Sequence, residues 1–242
     1  MLRRPLLVCV ALALTACRHD PLPQFPRVML WAWESPQNLD FIDPKQAGVA
    51  FLARTILLLK DGQAKVLPRF QPLHVPSGTV LLAVVRIESQ GASLPPANTV
   101  CELVSQPAEL AGVRGLQIDF DAKSSERKFY RELLQCVHSR ISQPLVITAL
   151  ASWCQSDDWI RGLPVNDAVP MLFRMGPDRY RPGQEFAVPL CQNSFGISID
   201  EPIASLPHGK RLYIFHPGPW TKTDYQNAIA WHRLLACALV PR

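Results

Sequence analysis

Glycine is scarce in this chain, 12 of 242 residues. Nowhere do these residues gather into a phosphate-wrapping loop, which leaves an open, doubly wound nucleotide-binding sheet without its characteristic support. No cysteine or histidine spacing matches a zinc motif, and no repeat or low-complexity segment interrupts the sequence. Beyond the first 16 residues no apolar run approaches the roughly 20 residues needed to cross a bilayer. Charge of one sign is also in short supply: the formal net charge is +5, too mild to argue for a nucleic-acid partner. What is present is apolar bulk, 48% of residues, enough for a sizeable core.

The N-terminus, MLRRPLLVCVALALTAC, combines two arginines, a short apolar run and a small residue before Cys17. That pattern is a secretion signal over residues 1–16. It also resembles the lipobox of bacterial lipoproteins, which implies that Cys17 is lipidated and begins the mature chain. Arg18 stands where an aspartate would favour inner-membrane retention, so the resemblance places the protein on the periplasmic side of the outer membrane. Loss of Arg3 and Arg4 lowers Lys+Arg from 25 to 23 against 20 acids, a mature charge of +3. Residues 17–27, with PLPQFP, read as the lipidated cysteine and a tether, and residues 28–242 as one domain. Five cysteines then remain, Cys101, Cys136, Cys154, Cys191 and Cys237, enough for two disulfides in an oxidising compartment.

Eight short apolar runs follow one another: 28–33, 48–53, 79–87, 115–120, 145–151, 168–175, 195–199 and 211–215. Most are almost continuously hydrophobic, as parallel strands covered on both faces should be. Helical periodicity lies between some of them, clearest in 124–141, where Ser124 is placed to cap and Phe129, Leu133, Leu134, Val137 and Ile141 share a face. Residues 223–239 read as a closing helix. Eight strands with intervening helices predict an α/β fold, a (β/α)8 barrel of the TIM type. Asp61-Gly62 between two alternating runs predicts a β-hairpin excursion after the second strand. In such a barrel Cys154 and Cys191 follow strands five and six on the same face, which makes them the candidate disulfide pair.

Active sites in this fold lie at the C-terminal ends of the strands. Those ends carry Trp33 and Glu34, Arg54, Arg86 and Glu88, Asp119 and Asp121, Ser152 and Trp153, Arg174, Asp200 and Glu201, and His216 with Trp220. In RGLQIDFD (114–121), Gln117, Asp119 and Asp121 share one strand face. Two carboxyls at successive same-face positions, about 6.6 Å apart at Cα, raise each other's pKa and leave one protonated near neutrality. Asp121 is expected to be the general acid and Asp119 its charge partner. Glu34, Asp200 or Glu201 are placed to come across the mouth. Gln117, Trp33, Trp153, Trp220, His216, Arg86 and Arg174 complete the expected substrate-binding set, with the indoles suited to sugar faces and the arginines to anionic groups. Ser152, His216 and Asp200 have triad chemistry, but nothing like a nucleophile elbow surrounds Ser152. No metal and no cofactor is expected.

RGLQIDFD resembles the fourth-strand signature of chitinase-like glycoside hydrolases, Asp-Gly-x-Asp-x-Asp-x-Glu. Gly115 matches its glycine, Asp119 its middle acid, and Asp121 the position of its general acid; Arg114 and Gln117 stand where aspartates are expected. Through WAWE, GVAFLART, LQIDFDA, ITALASWC and VPMLFRMG the mature chain is similar to a family of bacterial lipoproteins, a domain of unknown function with a predicted glycosidase-like barrel. The resemblance implies a membrane-anchored periplasmic lipoprotein, expected to be monomeric, that meets a polysaccharide or peptidoglycan-type glycan. It is a glycoside hydrolase if active; the alternatives are a non-catalytic glycan-binding protein or an envelope-assembly lipoprotein.

Overall fold

Val28–Ala32 is apolar at every position and buried throughout, as a strand must be when a packed lumen covers one face and an outer layer the other. The same holds for most of its neighbours. The computed structural model describes residues 20–91, 93–175, 186–201 and 209–237; the expected signal peptide and Cys17 lie outside them. The strands are β1 (Val28–Ala32), β2 (Gln37–Asn38), β3 (Ala47–Leu58), β4 (Ala64–Pro68), β5 (Leu73–His74), β6 (Leu81–Ser89), β7 (Val113–Asp119), β8 (Leu145–Leu150), β9 (Asp167–Met171), β10 (Ser194–Ser198) and β11 (Arg211–Phe215). Eight of them form a closed parallel barrel in the order β1-β3-β6-β7-β8-β9-β10-β11, with β11 pairing back to β1. Each of the eight apolar runs in the sequence corresponds to one barrel strand.

The helices are α1 (Ala97–Ser105), α2 (Arg127–Arg140), α3 (Ala151–Gln155) and α4 (Lys222–Cys237), following β6, β7, β8 and β11. In α2 the buried positions are Phe129, Tyr130, Leu133, Leu134 and Val137, a stripe at helical spacing that packs on the sheet. Its start is held by Glu126, whose carboxylate accepts the Lys123 N–H at 2.8 Å, and not by the Ser124 hydroxyl. Between β1 and β3 the chain crosses back without a helix, through turns and the small parallel pairing of β2 with β5. Cys101–Cys136 ties α1 to α2. Cys154–Cys191, the pair expected from the sequence, ties α3 to the turn before β10.

β3 is 12 residues long and outruns the barrel. Its first half pairs with β1 and its second with β4, antiparallel, from Arg54↔Pro68 to Leu58↔Ala64. A register shift against β6 between Leu52 and Arg54 changes which face each later side chain takes, since faces alternate along a strand. Arg54 is therefore not at the mouth: it turns outward and donates to Leu103 O at 3.1 Å and Gln106 Oε1 at 2.8 Å.

The lumen is filled, not hollow. Met29, Trp31, Ala50, Leu82, Val84, Val146, Val169 and Tyr213 form its packed column. Gly196 makes space for Trp31, because a Cβ there would lie 2.9 Å from the indole. At the N-terminal end residues 20–27 are no free tether. Leu22 and Phe25 are buried against the column, and Gly115 accommodates Phe25, whose ring would be 2.8 Å from an added Cβ. Arg211, fully buried, locks this strap by donating to Pro26 O at 3.0 Å, Leu22 O at 2.7 Å and Phe25 O at 3.2 Å and pairing with Asp20 at 3.1 Å.

Candidate functional site

Asp119 ends β7 in register with Arg86 of β6, so both reach the C-terminal mouth from adjacent strands. A cleft of about 250 Å³ opens there, lined by Arg86, Glu88, Asp119, Asp121, Lys123 and Glu126 among others. Asp119 is half-buried on its floor and accepts a 2.6 Å hydrogen bond from Thr148 Oγ1. Burial, first, and the Asp121 charge, second among the raising causes, push its pKa up to about 6 against the pull of Thr148 and Arg86. Asp121 stands exposed at the rim; partial desolvation raises its pKa too, opposed by Arg86. The larger upward shift thus belongs to Asp119, and removal from water causes it more than repulsion between the two acids does.

Neither aspartate has an ion-pair partner within 4.0 Å among the described residues. Arg86, the cation that lowers the pKa of both, is instead engaged by Glu88 at 3.0 Å and Glu34 at 3.8 Å. Its guanidinium also lies 6.0 Å from the Trp33 ring centroid. Trp33 is half-buried and meets Phe215 edge-on at 6.3 Å, and Phe215 stacks on Phe173 at 5.5 Å. Arg174 sits 5.2 Å over Phe215 and pairs with Asp200 at 3.6 Å and Glu201 at 3.8 Å. Its backbone is left-handed, φ 54°, a strained conformation for a non-glycine residue, and its N–H donates to Glu201 Oε2 at 2.9 Å. The hydrogen bond from Ser198 and the Arg174 charge hold Asp200 below the usual carboxylate range. Trp33, Phe215 and Arg174 therefore bridge the aspartate cleft to the second acidic pair.

Other expected site residues lie elsewhere. Gln117 is enclosed in the lumen, where its Oε1 accepts the Trp31 Nε1–H at 2.8 Å. Trp153 is 2% exposed and packs edge-on against Trp159 at 5.0 Å. Trp220 is 4% exposed, donating from Nε1 to Trp31 O at 2.9 Å. None of these three presents a face to the cleft. His216 Nε2 lies 3.3 Å from Asp224, and Gly218 N–H donates to Nδ1 at 3.0 Å; with Asp200 held by Arg174, a Ser152-His216-Asp200 triad does not assemble. No group of three His, Cys, Asp or Glu side chains able to hold a metal occurs among the described residues.

Four contributors carry no mark in the sequence. Thr148 is hidden in the apolar run 145–151. Phe173 and Phe215 sit inside their runs like ordinary core residues, although their strand-end positions match that of Trp33. Arg69 fixes the rim by donating to Trp33 O, Ser35 O at 2.9 Å and Gln71 O at 2.8 Å.

No family model, no curated protein and no solved structure matches the chain. Among the described residues no helix is long and apolar enough to cross a membrane.

Proposed function

We propose that this is a lipid-anchored lipoprotein of the outer membrane's periplasmic side whose barrel acts on an envelope or exported polysaccharide as a glycoside hydrolase. The observation that carries the reading is the pair Asp119 and Asp121: two carboxyls at the end of one strand, facing one cleft, both with pKa raised by burial against the pull of Arg86 and neither in an ion pair among the described residues. Protonation of a leaving glycosidic oxygen needs an acid that still holds its proton near neutrality. Asp121, at the exposed rim, is the acid that meets the leaving oxygen, and Asp119 behind it is the carboxyl of the two that burial and the Asp121 charge push further, up to about 6. Trp33 and the Phe173–Phe215 stack supply apolar faces for sugar rings. A second group must stabilise or attack the anomeric carbon; an N-acetyl group of the substrate or one of Glu34, Asp200 and Glu201 fills that place.

One observation favours a non-catalytic, glycan-binding barrel. Glu34, Asp200 and Glu201, the acids available across the mouth, are all engaged by Arg86 or Arg174. A barrel that only binds would keep its arginine and carboxylate groups paired in this way.

The deciding experiment is a turnover screen of the purified chain on envelope glycans, with Asp121→Asn as the paired variant. Hydrolysis lost by at least about a hundredfold in the variant, with thermal stability retained, supports the enzyme. Glycan binding without turnover in either protein supports the second reading, and equal turnover in both overturns the role of Asp121.

A further inference from the structure

The strap that closes the barrel also fixes where the chain leaves it. Asp20 is held by Arg211 at the first position of β11 and by Arg27 just before β1, at 3.1 Å and 3.2 Å. Both lie at the N-terminal end of the barrel, opposite the cleft. Cys17 precedes Asp20 by three residues, a reach of at most about 10 Å. An anchor at Cys17 therefore brings this end of the barrel, and not the mouth, to the bilayer.

The same end is basic. Arg27, Lys45, Arg114, Arg140 and Arg233 are all exposed and lie at strand N-termini or helix C-termini. Arg233 reaches Gln46, just before β3, at 2.7 Å, and Arg27 and Arg233 both depress the pKa of the half-buried His232 beside them, behind the effect of burial. Of the acids here, Asp20 is committed to Arg211 and Arg27, Asp43 accepts hydrogen bonds from the Gln46 side chain and the Lys45 backbone N–H at 2.7 Å and 2.9 Å, Asp167 at the start of β9 is buried and bonded by Ser194, and Glu109 is exposed. The arginines and the lysine thus outnumber the acids on the face nearest the anchor.

We propose that the N-terminal end of the barrel is a membrane-contact face that takes the phosphates of anionic phospholipid, so that the mouth opens away from the bilayer. Each basic group within a Debye length of an anionic surface strengthens partitioning about fivefold. The proposal takes from the anchoring reading only the position of Cys17, and nothing from the glycan reading.

The test is cross-linking of the full protein on vesicles that contain phosphatidylglycerol with a photoreactive headgroup, followed by peptide mapping. The expected cross-links fall on peptides that contain Arg27, Arg114, Arg140 and Arg233, and the phosphatidylcholine analogue gives few. R114E/R140E should lower the yield at least about tenfold, while K60E/K65E, an equal charge change on the β3–β4 segments beyond the mouth, should not. A chain found without an acyl group should give the same map, weakened by salt. Cross-links at the rim, an even spread over the surface, or equal losses in the two variants would overturn the proposal. Glycan turnover is read separately, so either idea can fail alone.

Discussion

Thr148 Oγ1 donates a 2.6 Å hydrogen bond to Asp119 Oδ1, from the strand next to the one that carries the aspartate. The bond favours the charged carboxylate and is the largest influence lowering a pKa that burial raises to about 6. Thr148→Val keeps the shape and removes the donor, so the Asp119 pKa should climb further. Carbon-detected NMR titration of the side-chain carboxyl reads this directly. An unchanged or lowered value would mean that the hydroxyl does not hold the charge.

Stability should depend on pH in a definite direction. Asp119 titrates at about 6 in the fold and Asp167, buried beside Ser194, at about 7, burial being the chief cause for both; each has a reference value of 3.8. Between those values the folded chain keeps protons that the unfolded chain has released, so stability falls as pH rises from about 4 to about 7. Asp20 behaves oppositely. Although burial works against it, the Leu22 N–H and Arg211 hold its pKa below 3.8, so its contribution is lost as pH drops below about 4. The melting temperature should peak near pH 4 to 5 and be lower at pH 8 by at least about 3 °C, and Asp167→Asn should flatten the upper limb. A melting temperature that rises from pH 5 to pH 8 would contradict both assignments.

Arg211 is completely buried with three carbonyls and Asp20 as acceptors. Arg211→Met leaves those carbonyls without a donor and should cost on the order of 3 kcal/mol or more in urea unfolding. Asp20→Asn keeps the arginine bonded to the carbonyls and should cost less, about 1 kcal/mol. The order of the two losses is the check, because a strap that merely lies on the surface would make both negligible.

Each disulfide closes a loop of similar size, with sequence separations of 35 and 37. By loop-closure entropy, Cys101→Ser and Cys154→Ser should each lower stability by on the order of 3 to 4 kcal/mol. A non-reducing mass map should show Cys101 with Cys136 and Cys154 with Cys191. Free thiols at these positions would contradict the pairing.

The barrel was legible because its strands carry their own signal: runs such as TVLLAVVRI are apolar on both faces, and only a sheet covered twice needs that. Cys154 with Cys191 followed from the same frame. Arg54 turns away from the mouth because one extra residue in β3 shifts the faces, and nothing in the local sequence marks the shift. Leu22 and Phe25 looked like parts of a proline-rich tether, since two apolar residues show no period; their burial depends on space left by Gly115, some 90 residues away. Trp153 and Trp220 follow strand ends in the sequence, yet each sits where a neighbouring element covers it. Asp119 and Asp121 were found from alternation alone, but the size of each shift depends on depth, which a strand pattern does not contain.

Arg86 and Glu88 belong to a strand that continues past the barrel rim in unbroken register with β3, through Thr55↔Arg86 and Leu57↔Glu88, while β3 is braced on its far side by β4. This flank of the cleft is therefore a fixed jaw. Its charges are carried by a hydrogen-bonded ladder, so a ligand meeting Asp119 and Asp121 finds one side already assembled and loses little conformational entropy in engaging it. Any tightening around that ligand must come from movement elsewhere on the rim.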